Sequence, residues 1–121
     1  MIAMHEMALM GDILQIVQAD AAQKGIEKLD RVDLIVGELA NALPEALKMA
    51  FAIFREQNPC LFTESAELFI HLEKASAKCV ICGETYRPNQ KIALCPNCKI
   101  PSGKILTGET FQILSYEGSN S

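Results

Sequence analysis

The 121-residue sequence has no tryptophan, only 6% aromatic residues, and no apolar run long enough to cross a bilayer. A membrane-spanning helix needs about 18 or more consecutive apolar residues, so no span is expected. The start Met1-Ile2-Ala3-Met4-His5-Glu6 has neither a basic n-region nor a continuous apolar core, so no secretory signal is read there. Positive charge is short as well. Eleven Lys and Arg stand against 15 Asp and Glu, for a net charge of −4 and a pI near 5.1. A phosphate backbone calls for a basic face, and single strands call for aromatic residues interleaved with basic ones. Both are missing, so nucleic acid is not expected as a partner. No Ser/His/Asp set or carboxylate pair falls at spacings that assemble a hydrolytic site, so the chain is not read as an enzyme.

Cysteine is what the sequence does have. Four of its five cysteines form two Cys-x-x-Cys pairs, Cys79–Cys82 and Cys95–Cys98. One tight turn can aim both sulfurs of a pair at a single ion, and the residues between the pairs suffice for a hairpin that folds the second turn onto the first. Four thiolates make a closed tetrahedral shell, the preferred site for structural Zn²⁺, with no open position for substrate. An iron site of the rubredoxin kind uses the same ligands. Zinc on four thiolates adds about −2 to the chain, since Zn²⁺ replaces four protons. Lys78, Arg87, Lys91, Lys99 and Lys104 lie around the cysteines and are expected to offset that charge. Paired thiols without a signal peptide fit a reducing cytoplasm. Cys60, after Asn58-Pro59, is read as a small half-buried apolar residue.

Hydrophobic periodicity orders the rest. Met7, Met10, Leu14, Val17 and Ala21 recur at helical spacing over Met4 to Lys24, and Gly25 is a helix stop. Arg31 to Val36 is a strand with Val32, Leu34 and Val36 on one face, ended by Gly37. Pro44 opens a second helix with Leu47, Ala50, Phe51 and Phe54 on its stripe, until Asn58-Pro59. Glu67 to Glu73 is a strand with Leu68, Ile70 and Leu72 inward and His71 facing solvent. Thr110 to Tyr116 is the last strand, and Gly118 to Ser121 is expected to fray. The fold class is α+β: a three-stranded sheet with two helices on one face, plus an inserted four-cysteine zinc-ribbon lobe. Residues 1–74 and 108–121 form the α+β domain, and residues 75–107 form a zinc-binding lobe held by its ion more than by a core.

With that architecture, the remaining residues resemble the HypA/HybF family of hydrogenase nickel-incorporation proteins. The matching pieces are Met4-His5-Glu6, Val36-Gly37-Glu38-Leu39, Pro44-Glu45-Ala46-Leu47 leading to Ala50-Phe51, the two cysteine pairs with Pro96, and Gly108-Glu109-Thr110-Phe111-Gln112-Ile113. Their order and spacing cover nearly the whole chain. The resemblance implies a nickel metallochaperone that binds Ni²⁺ as transient cargo at Met4, His5 and Glu6 and delivers it to the maturing [NiFe]-hydrogenase, or in some organisms urease. It also implies structural Zn²⁺ on Cys79, Cys82, Cys95 and Cys98. The implied partners are the nickel-handling GTPase HypB and the hydrogenase large-subunit precursor. A zinc-ribbon protein-interaction module without nickel delivery is the competing reading.

Imidazole suits Ni²⁺, and a square-planar nitrogen set is among its preferred geometries. Met4 is expected as the true start, because an α-amine, a backbone nitrogen and the His5 imidazole then form one short chelate. Met1-Ile2-Ala3 turn the Met4 nitrogen into a peptide amide. Where the family often has a carboxylate after the Gly-Glu turn, this chain has Leu43, with Glu45 two residues on. Glu38 is expected to serve loop structure.

Overall fold

In the computed structural model, which describes residues 4–89 and 92–120, helix α1 spans Met4–Gln23. The expected stripe is its buried face: Met10, Ile13, Leu14, Val17 and Ala21 are buried, and Met7 is half-buried. Gly25 ends the helix at φ 75°, in the left-handed region that costs glycine nothing, and the Ile26 N–H returns to the Ala21 carbonyl at 2.9 Å.

Strand β1 spans Lys28–Gly37, with Val32, Leu34 and Val36 fully buried. Helix α2 spans Pro44–Gln57, with proline in the first turn, where an N–H has no helical partner to lose. It packs against α1 and buries Leu47, Ala50 and Phe51; Phe51 meets Phe62 edge-on at 5.5 Å. Strand β2 spans Phe62–Glu73 and starts well before the expected Glu67, because Phe62 and Ala66 are buried anchors of its first half. Strand β6 spans Phe111–Ser119, and the order in the first sheet is β2-β1-β6. The Leu29 amide donates to Leu61 and the Glu38 amide to Glu73, so β1 and β2 run parallel with α2 as their crossover. The Gly37 amide donates to Thr110, while Gly118 lies against Lys28 at the other end, so β6 is antiparallel.

A second sheet of order β4-β3-β5 is built from β3 (Ser76–Cys79), β4 (Thr85–Tyr86) and β5 (Gly103–Thr107). Its pairings are antiparallel, with Ala77 opposite both Tyr86 and Ile105. The fold is thus α+β, two helices on a three-stranded sheet plus a four-cysteine lobe. The chain divides into two compact units, Met1–Leu34 with Ala42–His71 and Ile113–Ser121, and Ile35–Asn41 with Leu72–Gln112. No helix among the described residues is long and apolar enough to cross a membrane.

Three local expectations are corrected. Leu72 is 57% exposed and Leu68 and Ile70 only half-buried, because β2 is an edge strand with a neighbour on one side. Cys60 is exposed, carried outward on the turn that the Leu61 N–H closes onto the Asn58 carbonyl. The tail is held through Asn120, whose Oδ1 accepts the Glu27 N–H at 3.0 Å, and Gly118 passes so close to Ile26 and Lys28 that no Cβ fits. Ser121 lies outside the described residues. His71 faces solvent as expected, and its Nε2 also lies 2.8 Å from Asp33 Oδ2.

Asp33 is buried on β1 and takes both Nε and Nη2 of Arg31, at 2.6 and 3.0 Å. The Arg31 guanidinium lies 3.8 Å above the centre of the Phe69 ring, which adds a cation–π contact. The fork from Arg31, with help from His71, overcomes burial and lowers the Asp33 carboxyl to about 2. Its ionised form therefore stabilises the fold above the ordinary carboxylate pKa, and that contribution fades as pH falls through the lowered value. Asp33→Asn should cost about 1–2 kcal/mol near neutral pH. In urea unfolding at a series of pH values, its difference from wild type should be widest above about pH 4 and close toward pH 2. A gap constant down to pH 2 would reject the assignment.

Candidate metal centre

Each Cys-x-x-Cys closes as a tight turn for the same reason. In the first, the Gly83 N–H returns to the Cys79 carbonyl at 3.0 Å, with Gly83 at φ 78°. In the second, the Lys99 N–H returns to the Cys95 carbonyl at 2.7 Å, with Lys99 at φ 59°, a conformation few non-glycine residues adopt. These turns point amides at sulfur. Ile81 and Cys82 N–H groups lie 3.4 Å from Cys79 Sγ, and the Cys98 N–H lies 3.3 Å from Cys95 Sγ. The β3–β5 register sets Cys79 opposite Gly103, and the Gly103 N–H holds the Ala93 carbonyl at 3.0 Å, drawing the second turn onto the first.

All four sulfurs lie within 4.8 Å of one another. Cys79 and Cys98 are 3.8 Å apart, and Cys82 and Cys95 are 3.7 Å apart. A tetrahedral ion with metal–sulfur bonds of about 2.3 Å spaces its ligands about 3.8 Å apart, the separation seen in these two pairs, so the four residues fit a metal ion. The Cys82 amide, then the Ser102 hydroxyl at 3.0 Å, lower the Cys79 thiol to about 6. The Cys82 sulfur, then burial, push Cys98 up to about 12. Four neighbouring thiols cannot all ionise on their own, and a divalent cation removes that conflict.

Ser102 is not visible in the sequence as a site residue, because a serine four positions after Cys98 belongs to no spacing rule. Its contact with Cys79 depends on the β3–β5 pairing, which also brings the Val80 N–H to the Ser102 carbonyl. The expected charge compensation changes at Arg87, whose Nη2 lies 3.1 Å from both oxygens of Glu38. Glu38 Oε1 also accepts the Ala75 N–H at 2.7 Å, the structural role expected for it. Lys91 lies outside the described residues.

The N-terminal candidates sit on the first turn of α1. Residues 1–3 and the Met4 side chain lie outside the described part. His5 is exposed, whereas Glu6 is only 4% exposed. Glu6 Oε2 accepts the Leu43 N–H at 2.9 Å, just ahead of α2, where no side chain caps the helix locally. A carboxylate there is favoured by the positive end of the α2 dipole. Glu6 Oε1 is buried with no hydrogen-bond partner among the described residues. Leu43 thus enters through its backbone amide. Among the described residues the four cysteines are the group of three or more ligand side chains gathered closely enough for one ion.

Outer-shell hydrogen bonds commonly contribute about 10–100-fold to metal affinity. Ser102→Ala should therefore weaken metal retention about tenfold while leaving all four thiols in place, read by competition with a chromophoric chelator. Unchanged retention would mean the hydroxyl does not act on the metal.

Comparison with known proteins follows the same lines. Residues 4–118 match the family described as hydrogenase/urease nickel incorporation, metallochaperone, HypA. The chain is 37% identical over 114 residues to the hydrogenase maturation factor HypA of Desulfitobacterium hafniense, covering 94% of this chain and 97% of that one. It is 36% identical over 115 residues to that of Moorella thermoacetica, covering 95% and 99%. Among solved structures, a solution structure of HypA protein superposes with a TM-score of 0.63 at 26% identity, covering 96% of this chain and 97% of that one. The solution structure of the Ni metallochaperone HypA from Helicobacter pylori shares the fold, with a TM-score of 0.61. With matches along nearly its full length, a shared fold and a four-cysteine centre, the chain belongs to the HypA family of hydrogenase/urease nickel-incorporation metallochaperones.

Proposed function

We propose that the chain binds Ni²⁺ through Met4, His5 and Glu6 and delivers it to the maturing [NiFe]-hydrogenase, with Zn²⁺ held structurally by Cys79, Cys82, Cys95 and Cys98. The observation that carries the nickel reading is an exposed His5 beside, in sequence, a buried Glu6 carboxylate with one oxygen engaged by Leu43 and one without a hydrogen-bond partner among the described residues. First-turn amides of a helix have no intrahelical acceptor, so coordination by backbone nitrogens there would leave the hydrogen bonds of α1 intact. Deprotonated amide and carboxylate bring the negative charge that offsets a cation at a positive helix end.

On this reading the cysteine centre holds zinc, because four gathered thiolates favour a closed tetrahedral shell with no coordination position for cargo. The nickel-binding function is assigned to residues 1–74 and 108–121 and the zinc to residues 75–107. The delivery partners on this reading are the GTPase HypB and the hydrogenase large-subunit precursor, in the cytoplasm.

Calorimetric titration of Ni²⁺ into zinc-loaded chains beginning at Met1 and at Met4, with His5→Ala as control, tests the nickel site. Both starts are informative: tight binding by the Met4 chain alone identifies the α-amine as a ligand, and equal binding assigns that place to a backbone amide. In either case His5→Ala should abolish binding without changing the zinc content. Full nickel affinity in His5→Ala would sink the N-terminal site. For the cysteine centre, Cys79→Ser should release one equivalent of zinc and remove hydrogen-exchange protection within residues 75–107, with α1 and α2 still protected.

A further inference from the structure

The second unit contains a cavity of about 410 Å³ beside the Cys95–Cys98 turn, lined by Tyr86, Arg87, Pro88, Asn89, Ile92, Leu94 and Pro96. Its back wall is braced. The Tyr86 hydroxyl donates to the Ala93 carbonyl at 2.7 Å, and the Gly103 N–H meets the same carbonyl, with no room for a Cβ between Gly103 and Tyr86. Among the described residues it presents two exposed aliphatic side chains: Ile92 is 68% exposed and Leu94 57%. Two exposed aliphatic side chains on a loop braced by a metal turn do nothing for the core, yet they lose little freedom when a partner covers them.

Charge selects the partner. Between Ser76 and Thr107 the sequence carries Lys78, Arg87, Lys91, Lys99 and Lys104 against Glu84 alone, while the rest of the chain is strongly acidic. A zinc tetrathiolate accounts for about two of those positive charges and leaves about two over. Lys78 and Lys104 also stand directly opposite each other across β3 and β5, both exposed, an arrangement that costs stability within the lobe. Arg87 holds Glu38 through Nη2 and remains largely exposed. An apolar slot in a basic lobe complements an acidic surface that inserts an aliphatic side chain.

We infer that this slot is the docking point for the protein that receives the metal, which presents an aliphatic side chain ringed by Asp and Glu. The inference rests on the delivery reading above. A carrier that gripped its recipient through nickel ligands alone would lose that grip as the ligands exchanged, and an anchor away from the ligands keeps the pair together through transfer.

The test measures binding of the zinc-loaded chain to the purified hydrogenase large-subunit precursor, with Ile92→Asp and Leu94→Ser as separate variants. Zinc content and Ni²⁺ affinity of each variant are checked alongside. Both side chains are exposed, so the fold should tolerate the changes. Each variant should bind the precursor about tenfold or more weakly, as expected on removing a central apolar contact, and wild-type binding should weaken with salt. Wild-type affinity in both variants, with zinc and nickel unchanged, would overturn the slot while leaving delivery standing. Loss of self-association in the variants, seen by sedimentation, with precursor binding intact would make the slot an interface between copies and also overturn it. A wild-type chain that binds nickel but not the precursor would overturn delivery and the slot together.

Discussion

Four sulfurs within 4.8 Å of one another cannot all carry charge unless a cation sits among them, and the second unit is organised around that constraint. The β4-β3-β5 sheet is small, with strands of two, four and five residues, too little to hold two turns in register by backbone bonding alone. Amides aimed at Cys79 and Cys95, the Ser102 hydroxyl and the two left-handed residues Gly83 and Lys99 all prepare the sulfurs for ionisation. Around a metal each contributes to binding.

Carboxylates do comparable work elsewhere in the molecule. Glu6 accepts the amide ahead of α2, Glu38 accepts that of Ala75, and Glu73 Oε1 accepts that of Gly108 while its Oε2 takes the Thr110 hydroxyl. Gly108 itself runs so near Ala75 that a side chain would collide, and Gly37 runs as near Gly108. The strand ends are therefore joined by charged side chains reaching backbone N–H groups, in places where the chain is too crowded for apolar packing. Glu6 is the one that also belongs to the proposed nickel site, which ties cargo chemistry to the start of α2.

Much of this was legible in the sequence because it rests on periodicity and spacing. The α1 stripe, the β1 alternation, Pro44 and Gly25 as boundaries, and the four cysteines are local patterns that tertiary context had only to accept. What escaped reading depends on pairs far apart in the chain. His71 finds Asp33 only because β1 and β2 run parallel, and Ser102 reaches Cys79 only through the β3–β5 register. Phe62 and Ala66 lengthen β2 beyond its expected start, since no alternation around Thr63 to Ser65 announces a strand. Gly118 reads as a loose tail residue, yet its lack of a side chain lets β6 pass Lys28.

The strand order β2-β1-β6 also has a consequence for synthesis. Strand β1 is made early, gains β2 and α2 from the next stretch of chain, and waits for β6 until residues 111–119 have been translated. The whole cysteine segment must leave the ribosome in that interval. At about 5–20 residues per second the delay is several seconds, during which one edge of β1 has no neighbour. The two cysteine turns are thus exposed for metal binding before the strand that closes the first sheet has been made.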